Sequence, residues 1–119
     1  MVTASVTSSI DTDKLLDRCM GNSELLAKLM TAFSKTLPVE RNLLQAAIQS
    51  NDLTVVARIA HKLKGTASNM CALSLSEIAN DMEQSARLNQ LDSINGQWEK
   101  IASQIDSVID CIAAKGSTR

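Results

Sequence analysis

The chain has 119 residues, 45% of them apolar and 21% charged, with a formal net charge of −1. That is one domain of ordinary globular composition, long enough to bury a core, and its charge lacks the basic excess of a nucleic-acid binder. No apolar run approaches the ~20 residues that cross a bilayer and no signal-peptide pattern opens the chain, so a cytoplasmic protein without membrane contact is expected.

Residues 1–9, rich in Ser and Thr, carry no helical stripe and read as a disordered lead. Asp11 can cap a short first helix bearing Leu15, Leu16 and Cys19, with Gly21 placed to end it. From Asn22 or Ser23 a longer helix follows, with Leu25, Leu26, Leu29, Met30, Phe33, Leu37, Leu44 and Ile48 at helical spacing. Pro38 falls inside it and, lacking a backbone donor, predicts a kink or brief break. Ser50-Asn51-Asp52 is a turn, and Asp52 can cap a third helix from Leu53 to about Cys71. Ser74 and Glu77 have capping-box spacing and predict the opening of a fourth helix through Leu75, Ile78, Ala79, Met82 and Ala86. After a turn at Asn89 to Asp92, the last helix presents Ile94, Trp98, Ile101, Ile105, Val108 and Ile112 as a packing seam. Residues 116–119 read as a flexible tail. Short connections between long helices imply antiparallel neighbours. Residues 10–115 are therefore expected to form an all-α, antiparallel four-helix up-and-down bundle with an extra short helix at its N-terminus.

The residue inventory agrees with helix-on-helix packing: Phe33 and Trp98 are the only aromatics, leaving Leu, Ile, Val, Met and Ala to fill the core. Cys19, Cys71 and Cys111 are scattered and lack metal-ligand spacing, so free thiols are expected, and no metal site. With a single histidine, His-rich zinc sites and paired imidazole catalysis are excluded.

That histidine, His61, lies in the third helix. At 100° per residue, Leu53, Val56, Ala60, Leu63, Ala67 and Cys71 share one sector and His61 falls roughly 110° from its middle, on the wet flank. Thr54, Ala57, Arg58, Lys64, Gly65 and Ser68 accompany it along that flank, small or cationic. Gly65 is informative because glycine inside a helix costs roughly 1 kcal/mol relative to alanine. Helical side chains lean toward the N-terminus, so a glycine one turn beyond His61 clears the space over the ring. Arg58, Lys62 and Lys64 supply positive potential suited to an anion such as a phosphoryl group. An exposed imidazole is largely neutral near neutral pH and can act as a nucleophile toward an activated phosphoryl donor without a dedicated base. Plainer readings stand beside this one: an incidental surface histidine, a glycine that permits close helix crossing, and a solvated cationic face.

The string Ala60-His61-Lys62-Leu63-Lys64-Gly65, followed by Thr66-Ala67-Ser68-Asn69, resembles the signature AHxLKGxAxxxG of histidine-containing phosphotransfer (HPt) domains. The resemblance extends from about Ile10 to Ala114. It implies that His61 is the phosphoacceptor, modified on its outer ring nitrogen. It further implies that Lys64 helps neutralise the phosphoryl group, that Gly65 clears access for a receiver domain, and that Glu83 on the fourth helix hydrogen-bonds the imidazole. Lys62, Arg58 and Ser68 are supporting candidates. The chain departs from the pattern at Cys71, where many members have glycine; Ser68 keeps the surface small at another position that is often small.

The resemblance implies a phosphorelay intermediate that takes a phosphoryl group from a receiver-domain aspartate onto His61 and passes it to a second receiver. On this reading the chain has no kinase activity or cofactor, and Mg²⁺ and the acidic cluster belong to the receiver. Consistent with that, the sequence contains no P-loop or kinase motif. A monomer is expected, docking through the His61 stripe and exposed apolar residues of the second helix. The alternatives are a receiver-docking adaptor of the same fold that transfers nothing, a structural bundle fragment and, more distantly, a metal or hydrolytic enzyme.

Overall fold

The structure, a computed structural model, describes residues 9–116, with side chains through residue 114. Five helices occur among them: α1 (Thr12–Arg18), α2 (Ser23–Gln49), α3 (Leu53–Asn69), α4 (Leu73–Arg87) and α5 (Leu91–Gly116). Three-residue connections between α2, α3, α4 and α5 force antiparallel neighbours. These four helices close a ring, each packed on the next and α5 on α2. The expected all-α bundle is the observed fold. The expected lead falls largely outside the described residues, as do 117–119, while α5 runs through Gly116, one residue into the expected tail.

The core is aliphatic, as the composition requires. Leu37 and Leu44 of α2, Val56, Ala60 and Leu63 of α3, Leu75 and Met82 of α4, and Ile101, Ile105 and Val108 of α5 are fully buried or nearly so. Leu25 and Leu29, which shared the expected apolar stripe of α2, are instead exposed. On the wheel Leu25 stands roughly 100° and Leu29 roughly 60° from the middle of the Phe33–Leu37–Leu44 arc, off the side that meets the core. Ala57 is also reassigned: it is buried, because α3 is flanked by both α2 and α4 and loses a wide arc to packing.

The N-caps of α1, α2 and α3 are side chains of Asp11, Asn22 and Asp52, each accepting from a backbone N–H three residues on. The C-termini share one device. Met20, Asn51, Cys71 and Asn89 adopt left-handed φ values of 57°, 55°, 59° and 59°. In each case two N–H groups bond back to the last turn in a Schellman pattern; for α3 the bonds are Cys71 N to Ser68 O at 3.1 Å and Ala72 N to Ala67 O at 2.8 Å.

This pattern moves several expected boundaries. α1 stops on Met20, with Gly21 one residue further on. α3 ends at Asn69, and Cys71 is the left-handed residue beyond it rather than its last turn. α4 then starts directly from buried Ala72, without a side-chain cap, so Ser74 lies inside the first turn and the capping box with Glu77 does not form. α5 likewise begins at Leu91, earlier than the expected turn allowed. Pro38 causes no break: α2 is continuous through it, and the proline sits on the exposed side. There the carbonyl deprived of its partner can turn to water.

Helix α1 closes one end of the bundle. Ile10 and Leu15 are buried beneath it, and the Asp11 N–H donates to Cys71 O at 3.0 Å. Arg18 Nη1 donates to the carbonyls of Ser68 and Asn69 at 3.1 and 3.2 Å. A cation thus meets the carbonyl end of α3, where the helix dipole favours it. This strut fixes α3, the helix that carries His61.

Candidate functional site

The site is built on the seam between α3 and α4. Packing of α3 through Val56, Ala60, Leu63 and Ala67 leaves His61 on the outer face, its side chain 64% exposed. From α4, Glu83 reaches under the ring although it is itself buried. Its Oε2 accepts a hydrogen bond from His61 Nδ1 at 3.0 Å. The same oxygen accepts from Arg87 Nε at 3.1 Å and Nη2 at 2.7 Å. Lys64 Nζ forms an ion pair with the other oxygen, Oε1, at 2.8 Å, and approaches Asn80 Oδ1 at 3.4 Å. The Lys64 carbonyl accepts from Ser76 Oγ at 3.1 Å, which stitches the turn after His61 to α4.

These contacts fix the protonation of the site. Burial raises the pKa of the Glu83 carboxyl, but contacts with Lys64, Arg87 and His61 outweigh it and lower the value to about 2. Glu83 is therefore an anion, able only to accept, and His61 Nδ1 must carry the proton between them. In the neutral ring the lone pair then belongs to Nε2, on the far side from the bundle. The ring nitrogen that keeps its lone pair is thus turned away from the buried carboxylate.

Of the other sequence candidates, Gly65 lies one turn beyond His61, and a Cβ built there would meet nothing within 4 Å. Close helix crossing therefore does not explain this glycine. Arg58 lies one turn before His61, exposed and with no hydrogen bond or ion pair among the described residues. A groove runs from His61 between Arg58 and Arg87, with Ala57 and Ala86 in its wall. Lys62 turns the other way: its Nζ pairs with Glu40 Oε2 at 2.8 Å, and Glu40 is buried on α2. Lys62 therefore does not join the His61 cluster. Ser68, two turns from His61, contributes its carbonyl to Arg18 and leaves a small side chain on the surface stripe.

Arg87, Asn80 and Glu40 were not singled out in the sequence. Ser76, Asn80, Glu83 and Arg87 do form a polar stripe at helical spacing on α4, and that spacing was the available signal. Among the described residues no cluster of His, Cys, Asp or Glu could hold a metal ion, and no helix is long and apolar enough to cross a membrane.

The sequence matches the family model of the Hpt domain over residues 28–114, from the first third of α2 to near the end of α5. The chain belongs to this family of histidine phosphotransfer domains. Among solved structures it resembles histidine-containing phosphotransfer protein B (HptB) from Pseudomonas aeruginosa PAO1, with a TM-score of 0.84 and 23% identity. That match covers 92% of this chain and 95% of the other. It also resembles the HPT domain of an Hpt sensor hybrid histidine kinase from Shewanella, with a TM-score of 0.83, 15% identity and coverage of 94% and 97%. At such identities these two structures support the fold alone. None of the curated proteins matches the chain. Members of the family are phosphocarriers rather than kinases, working with receiver domains of response regulators or with histidine kinases. The role of this chain is accordingly histidine phosphotransfer in a phosphorelay.

Proposed function

We propose that His61 Nε2 accepts a phosphoryl group from the aspartate of one receiver domain and delivers it to the aspartate of another. The observation that carries this reading is the pairing of an exposed ring, tied at Nδ1 to buried anionic Glu83, with a glycine one turn away that no internal neighbour requires. The donor is already activated, so the chain needs to supply only an oriented lone pair, space for a partner and compensating charge. Lys64 supplies a cation held on the same carboxylate as the ring, and Arg58 and Arg87 flank the approach. Mg²⁺ and the acidic cluster come with the receiver; the carrier has no cofactor and acts as a monomer in the cytoplasm. On the α2 side of α3, exposed Leu43 lies beside Val55 and Ile59 and extends the docking face with apolar surface.

The test incubates the protein with a phosphorylated receiver domain and Mg²⁺ and assays acid-labile, base-stable phosphate. Label on wild type and none on His61→Gln is the expected result. Relay that persists through His61→Gln would sink the carrier reading. Receiver binding without any transfer to wild type would instead favour an adaptor that only docks.

A further inference from the structure

Four large apolar side chains stand exposed in one row on α2: Leu25, Leu29, Val39 and Leu43, each between 37% and 56% exposed. With Ala32, Thr36 and Ala46 they are spaced 4-3-4-3-4-3 along the helix. That alternation is the seam by which one helix receives another. At 1.5 Å per residue the row runs about 30 Å. The core takes a different arc of α2, through Met30, Phe33, Leu37 and Leu44, and leaves this one bare.

The charges bordering the row are uneven. Lys28 and Lys35, one heptad apart, line its outer edge beside Ala32 and have no hydrogen bond or ion pair among the described residues. On the α3 edge, Arg58 and Lys62 stand beside Leu43 and Ala46. The nearby carboxylates are Glu40, buried and paired with Lys62, and Glu24 in the first turn of α2. A second copy laid on this row would set cation against cation in either orientation. The row also lacks the aromatic anchors and the wide apolar face with which a helix settles on lipid. We propose that its stretch from Leu25 to Val39 receives an amphipathic helix of a partner protein, apolar at heptad spacing and carrying carboxylates seven residues apart against Lys28 and Lys35.

The Lys62–Glu40 pair sets His61 level with Glu40 on α2, so Leu29 lies about 16 Å further along the axis. A helix seated there leaves the imidazole and its groove open. It holds the carrier to one partner while receivers exchange at His61, and so raises the local concentration of one site around the other. The surface is independent of phosphate chemistry; only its use as a tether rests on the carrier role proposed above.

The probe is a labelled synthetic peptide of about three heptads, with leucine along one face and glutamate beside it, and a second peptide with lysine in place of glutamate. Fluorescence anisotropy with the whole chain at low salt should show saturable binding of the glutamate peptide and at least tenfold weaker binding of the lysine peptide. Leu29→Glu, at an exposed site, should weaken the glutamate peptide at least tenfold. The double variant Lys28→Glu, Lys35→Glu should reverse the preference toward the lysine peptide, which a loss of fold cannot do. Phosphoryl transfer from a receiver to His61 should run at the wild-type rate in Leu29→Glu. No binding of the glutamate peptide, or equal binding of both peptides, overturns the proposal. So does self-association, or binding to anionic vesicles, that Leu29→Glu abolishes, since the row then belongs to a second copy or to lipid. Transfer slowed by Leu29→Glu gives the row to the receiver and overturns the proposal while the carrier role stands. Label that never reaches His61 overturns the carrier role and the tether, and the peptides still decide the surface.

Discussion

Gly65 separates stability from function at a single residue. It lies inside α3, where a longer helix former is intrinsically favoured, and the space that a Cβ would enter is empty. Gly65→Gln should therefore stabilise the fold by roughly 0.5–1 kcal/mol in urea unfolding, because Gln is a better helix former. The same change places a side chain over the partner's path to His61 and should slow phosphotransfer tenfold or more. A glycine needed only for folding would give the opposite signs. Glu83 has its own signature in acid. Its folded pKa of about 2 lies below the ordinary carboxylate value of 4.5, so its contribution to stability is complete above that value and is lost as pH falls toward 2. The stability advantage of wild type over Glu83→Gln should accordingly shrink between about pH 5 and pH 2 in a chemical-denaturation series. His61, Lys64 and Gly65 were legible because they sit in one contiguous string. Arg87 and Asn80 were not, since what they do depends on which face of α4 meets α3, and helical spacing alone does not name the neighbour.

At the scale of the helices, periodicity and turn residues carried most of the fold: each long element was legible from its apolar spacing, and Asp11, Asn22 and Asp52 cap as their side chains predict. The misread ends of α1 and α3 share a cause. Schellman ends at Met20 and Cys71 use residues that disfavour left-handed backbone, so no glycine or asparagine marked the true position. A backbone-driven stop at α3 also fixed where α4 starts, overriding the capping-box spacing of Ser74 and Glu77. The chain itself shows the better solution, since Asn51 and Asn89 fill the equivalent positions after α2 and α4. Met20 is 93% exposed and loses no packing when replaced. Met20→Asn should thus raise stability by about 0.5 kcal/mol with no change in transfer, measured by thermal unfolding and a relay assay on the same preparation. Cys71→Gly should gain less despite the same backbone relief, because Cys71 is buried and its packing would be lost.

Across the whole molecule the charge is close to balanced, yet its distribution is uneven. A chain of net charge −1 gathers Arg58, Lys64 and Arg87 around one exposed histidine. Two of these cations are already engaged by Glu83, whereas Arg58 has no partner among the described residues. Of the three, Arg58 is thus the one whose field is least compensated and most available to an approaching acidic receiver site. Long-range attraction of this kind acts mainly on the association rate and is screened by salt over a Debye length of about 10 Å at 0.1 M. Arg58→Glu should slow association with a receiver several-fold at low ionic strength, measured by stopped-flow mixing, and the deficit should narrow as salt is raised. Its unfolding midpoint should match wild type within about 0.5 kcal/mol, since no internal contact is removed. If the deficit were equally large at high salt, the guanidinium would instead be making a short-range contact in the docked complex, with its effect on dissociation rather than encounter. The two rate constants therefore decide whether the bundle recruits its partner through the field of this face or through a fitted contact at Arg58.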